Sequence, residues 1–98
     1  MPYLICDPYS TSVTQPTEFE VFMDGAVTPV ISPAQSVTGG VRLHYDVSAV
    51  ASGNHTVTIR AARVDSIWGR LTSVASSPFA FAKPSAPGVP SGIGLVSS

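Results

Sequence analysis

The chain has 98 residues, 44% of them hydrophobic and 11% charged, with a formal net charge of −1. That length suits one domain, and the apolar content excludes a globally disordered chain. The near-neutral balance leaves no electrostatic footprint for nucleic acid or an anionic membrane surface, and no stretch approaches the roughly 20 apolar residues of a membrane-spanning helix. No membrane insertion is expected.

In chain order the first strand signal is Tyr3-Leu4-Ile5-Cys6, closed by Asp7-Pro8. Cys6 is the single cysteine, so no internal disulfide is possible, and its apolar setting reads as a buried, inert thiol. Phe19-Glu20-Val21-Phe22-Met23 follows and stops at the turn dipeptide Asp24-Gly25. Ala26-Val27-Thr28 and Val30-Ile31 read as a short return strand, which Pro29 and Pro33 confine to a sheet edge.

The clearest alternation is Val41 to Val47, with Val41, Leu43, Tyr45 and Val47 on one face and Arg42, His44 and Asp46 on the other. After the turn residues Ala51-Ser52-Gly53-Asn54, the run His55 to Ala61 alternates again, with Val57, Ile59 and Ala61 inward. Beyond Ile67-Trp68-Gly69-Arg70, residues 71–82 read as a last strand, broken near Ser76-Ser77-Pro78. No helical periodicity survives. Turn signals recur about every ten residues, the spacing of a sandwich or barrel.

From Lys83 the composition shifts to Pro, Gly and Ser, the mark of an extended linker, and then Ile93-Gly94-Leu95-Val96 turns apolar again. The expected division is therefore a β domain over residues 1–82 and a tail over 83–98.

These segments resemble the fibronectin type III domain. Phe19-Glu20-Val21 with Asp24-Gly25 is similar to that family's third strand and following turn, and residues 47–61 are similar to its E–F stretch. Trp68-Gly69 falls where the family has its F–G loop glycine. Bacterial immunoglobulin-like modules carry a similar Gly-x-His-Thr-Val pattern, so either sandwich family fits. The resemblance implies an all-β, antiparallel immunoglobulin-like sandwich of about six to seven strands. His55 stands where the family has a corner tyrosine, and the only tryptophan, Trp68, is not the family's second-strand one. Aligned this way, Tyr3 to Cys6 is the second strand. The tail, through Ile93, Leu95 and Val96, then resembles the absent first strand. It would pair in its own domain, in a neighbour, or open a next module.

Chemistry-bearing patterns are sparse. His44 and Asp46 share a strand face, yet no nucleophile elbow accompanies them, and catalysis is not expected. The two histidines lack zinc-type spacing and the aspartates are scattered singly, so neither a metal nor a cofactor is expected. Arg60, Arg63 and Arg70 around Trp68 read as solvated flanking residues, and no nucleic-acid partner follows from them. Asn54-His55-Thr56 matches a glycosylation sequon but reads as turn chemistry. Trp68 is the candidate binding residue, as a hot-spot anchor or sugar platform with Tyr9, Phe22 and Arg70; alternatively it caps the core.

The expected role is a non-catalytic structural or protein-interaction module, of a bacterial or phage surface or virion protein. A carbohydrate-binding module, accessory to a glycan-degrading enzyme, is the alternative. The partner would be a protein or neighbouring module, with self-association through the tail as one route. Residues 1–20 show no secretory leader, which fits either a protein made without one or a domain taken from a longer chain. The expected setting is extracellular or virion-associated.

Overall fold

One long strand organises the backbone. Gly53 to Asp65 is rich in Thr, Val and Ile, residues whose branched side chains suit a pleated surface, and it forms a strand of 13 residues. The structure, a computed structural model, describes residues 2–97. In chain order the strands are β1 (Tyr3–Ile5), β2 (Tyr9–Ser10), β3 (Glu18–Met23), β4 (Val30–Pro33), β5 (Gln35–Val37), β6 (Gly40–Arg42), β7 (His44–Asp46), β8 (Gly53–Asp65), β9 (Gly69–Thr72) and β10 (Phe79–Lys83). No helix occurs among the described residues.

On one side β8 pairs antiparallel with β3, from Met23↔Val57 to Glu18↔Ala62, and β3 pairs in turn with β4. On its other side β8 takes β10 along its first residues and β9 along its last. β4 is an edge strand, which is why Pro33 is tolerated in it. The expected return strand is corrected at its start. Residues 26–29 belong to the connecting loop, and pairing begins only at Val21↔Val30. Asp24 and Gly25 both have positive φ, and Ala26 N–H donates to Met23 O at 3.0 Å, so the dipeptide turns the chain without carrying it back into register.

A second layer comes from residues 3–10 running against residues 40–46. β1 pairs with β7, while β2 pairs with β6, which also holds β5. The single strand expected over Val41–Val47 is therefore two pieces. At the break, Leu43 N–H donates to Cys6 Sγ at 3.2 Å in place of a backbone oxygen. Cys6 is half-buried and not fully enclosed, and its sulfur fills a gap in the ladder. β9 and β10 are likewise one run interrupted over residues 73–78, close to the break expected at Ser76-Ser77-Pro78.

Leu4, Leu43 and Val47 from the small layer meet Phe19, Val21 and Val57 from the five-stranded sheet in one buried cluster. Two antiparallel layers around a shared core are compatible with a sandwich. Beyond Lys83, residues 84–97 join no strand. They extend the molecule to 74 × 32 × 20 Å and its radius of gyration to 19.3 Å, against about 13 Å for a compact chain of this length.

Candidate functional site

Between β1–β2 and β8–β10 the core is reachable from outside. A cleft of about 290 Å³ is lined by Tyr3, Leu4, Ile5, Leu43, Val57, Ile59 and Phe79. Further along, Ile59 also lines a cleft of about 610 Å³, with Phe19, Ala61 and Tyr9 among its walls and residues 73–76 on its rim. The two clefts share Ile59 as a wall and together make up an apolar groove. Ile5 and Phe79 both line its narrower part and are 60% and 57% exposed. Asp7 is the only charged group on these walls.

The edge above the groove is unpaired. Val47 N–H donates to Pro2 O at 3.1 Å. In an antiparallel ladder bonded pairs alternate, so Leu4 points its backbone groups at Tyr45, and Tyr3 and Ile5 point theirs outward. Strand β1 pairs with β7 alone, so those outward groups meet no strand among the described residues.

The opposite wall is held back by serines. At the break between β9 and β10, Ile59 N–H donates to Ser76 Oγ at 3.0 Å and Ala61 N–H to Ser73 Oγ at 2.9 Å. The N–H groups of Ser76 and Ser73 return bonds to the carbonyls of Ile59 and Ala61, both at 2.8 Å. The hydroxyls satisfy the β8 ladder while Val74 and Ala75 bow outward, and this bow keeps the wider cleft open.

The candidate binding residues lie on different parts of the molecule. Trp68 sits in the β8–β9 turn and is 76% exposed, so it does not cap the core. That turn is built by Asp65, whose Oδ1 accepts from Trp68 N–H and Ile67 N–H, both at 2.8 Å. These two bonds, Trp68's first, hold the Asp65 carboxyl below its ordinary range. Tyr9 is in the other layer, its ring 6.1 Å from that of Phe19, and burial pushes its phenol up. Phe22 lies under the Arg60 guanidinium, 5.6 Å from ring centroid to Cζ. Arg70 bridges Glu18 at 2.6 Å and Glu20 at 2.8 Å across the outer sheet face. Arg70 and the β3 residues thus share a sheet, while Tyr9 faces the groove.

Several other polar groups singled out in the sequence are taken up in structural contacts. His44 stacks on Tyr3 with centroids 3.9 Å apart, and Asp46 Oδ1 accepts from Ser48 N–H at 2.8 Å. His55 Nε2 lies 2.6 Å from the carbonyl of Ala51, which ties β8 to the loop before it. Arg63 donates to Gln15 O at 3.1 Å.

The tail residues Ile93, Leu95 and Val96 are exposed and joined to no strand of their own chain. The apolar run Tyr3-Leu4-Ile5-Cys6 predicts a strand, whose pairing ends at Ile5. The groove beside it is not legible in the sequence, whose one signal is the first strand missing from the family resemblance. Comparison with known proteins finds no matching family model, no matching curated sequence and no matching solved structure.

Proposed function

We propose that this chain is a non-catalytic, fibronectin type III-like or immunoglobulin-like module of a bacterial surface or virion protein, and that it binds a protein partner by strand addition. The observation that carries this reading is the outward-facing backbone of Tyr3 and Ile5 above a groove with apolar walls. Strand addition takes its affinity from backbone hydrogen bonds and its selectivity from pockets for alternate side chains, and this groove supplies both. The corner bond from His55 to Ala51 supports the family likeness, because it ties β8 to the loop before it.

Selection of random dodecapeptides displayed on phage tests the reading. Peptides with alternating apolar residues are expected to be enriched, and their binding is expected to be lost in Ile5→Asp. No enrichment, or enrichment indifferent to that substitution, would count against it.

Trp68 supports a second reading, a glycan platform, because an indole this exposed at a hairpin tip offers a flat stacking face. Titration with oligosaccharides would then change its fluorescence saturably. An unchanged spectrum across a glycan panel removes this alternative.

A further inference from the structure

We propose that the occupant of the groove is the tail of a second copy of this chain, with Ile93 and Leu95 as the inserted side chains. This rests on the strand-accepting reading above and names its partner. In residues 93–96 every second position is Ile93 or Leu95, and Gly94 between them lets the backbone approach closely. Leu95 is 100% exposed and Ile93 84% exposed, an arrangement with no benefit in solvent. The groove holds the complementary surface: Leu4, Leu43, Val57 and Ile59 below, and the unpaired edge of β1 above.

Direction and reach select a second copy over the chain's own tail. Pro2 and Pro84 line one small cleft, so the tail departs from the end of the body at which β1 begins. A tail folding straight back would run parallel to β1. One arriving from another molecule at the Ser10 end runs antiparallel, as the other pairings in this protein do. Pro84, Pro87 and Pro90 also stiffen the departure. A polyproline-like spacer over residues 84–91 spans about 25 Å, in keeping with the 74 Å long axis. Ile93–Val96 is thereby carried away from its own groove and presented to a neighbour's. The contact joins a tail to a groove, two different surfaces, so it propagates head to tail.

The test is sedimentation velocity on the full chain across a concentration series, with amide exchange read in parallel. Expected are mass growing with concentration, and protection of Tyr3, Ile5 and residues 93–96 growing with it. Ile93→Asp/Leu95→Asp in the full chain, with its groove intact, is expected to weaken association at least about a hundredfold, since a carboxylate entering an apolar groove loses its hydration. Ile5→Pro, with its tail intact, removes one outward N–H and is expected to do the same. Should that variant fail to fold by circular dichroism, Phe79→Lys on the facing wall replaces it. Mixed, the tail variant and the groove variant are expected to form a one-to-one heterodimer, because each retains what the other lacks.

A chain that stays monomeric overturns the proposal. So does tail protection independent of concentration, which would place the tail in its own groove. A tail variant that associates as well as the unaltered chain overturns it too. Peptide capture through Ile5 alongside a strictly monomeric chain would overturn self-association and leave the strand-accepting module standing; loss of both would remove the module reading as well.

Discussion

The imidazole of His55 is held between two acceptors, Asp24 Oδ2 at 2.7 Å from Nδ1 and the Ala51 carbonyl at 2.6 Å from Nε2. Only the doubly protonated ring donates to both. The Ala51 carbonyl first, and the Asp24 carboxylate next, raise the His55 pKa; the same contact with His55, followed by Thr56 N–H, lowers that of Asp24.

The signs define a stability window. A raised imidazole pKa contributes fully below its ordinary value of about 6.5, and the contribution disappears as pH rises through the elevated value. A lowered carboxyl pKa contributes above about 3.9, and the contribution disappears as pH falls through the depressed value. Thermal melts are therefore expected to peak between about pH 4 and 6.5. His55→Gln should flatten the alkaline side of that profile. Asp24→Asn is a clean second probe, because Asp24 has a φ of 54° and asparagine accepts that conformation. An alkaline limb unchanged in both variants would show that this corner does not set the pH dependence.

Phe19 and Trp68 are the two aromatics whose environments differ most, at 2% and 76% exposure. Phe19→Ala is expected to cost about 3–5 kcal/mol through lost burial and the cavity left behind. Trp68→Ala should change stability by no more than about 0.5 kcal/mol, as surface substitutions do. Urea unfolding of both variants checks the contrast, and comparable losses would mean that Trp68 packs against the body in solution.

Gly40 is needed for space, not for backbone freedom. A Cβ there would overlap the Tyr9 carbonyl oxygen and lie 2.8 Å from its carbon, whereas the neighbouring Gly39 has open surroundings and a φ of 84°. Gly40→Ala should break the two-residue strand β2 away from β6, at about 1–3 kcal/mol. Gly39→Ala should cost about 1–2 kcal/mol from conformation alone and leave that pairing intact. Amide exchange at Ser10 and Val41 separates the two effects.

Ser73 and Ser76 stand in for ladder carbonyls along β8. Each serine-to-alanine substitution should cost about 0.5–1.5 kcal/mol, the net worth of one hydrogen bond. Exchange should quicken at Ala61 for Ser73→Ala and at Ile59 for Ser76→Ala. Unchanged exchange would show that water or the backbone takes over these bonds.

Gly53 and Asn54, expected in a turn, are instead the first paired residues of β8. Residue order by itself determined that the chain is all β, that strands run through Phe19–Met23 and His55–Ala61, and that Asp24-Gly25 lies at a turn. Those features follow from period-2 alternation and local backbone preferences, which operate over a few residues. The interruptions were harder to read. The Leu43 break depends on Cys6, 37 positions away, and the β9–β10 bow depends on hydroxyls meeting Ile59 and Ala61. Only the tertiary structure decided that His55 bridges Asp24 and Ala51, that Trp68 stands clear of the core, and that Arg70 is committed to Glu18 and Glu20. An unfilled place beside Tyr3–Cys6 is already implied by the family resemblance; the structure adds that no strand of the described residues fills it. Which edge stays open depends on how many partners each strand finds, and that count is a property of the assembled sheet, not of any segment in it.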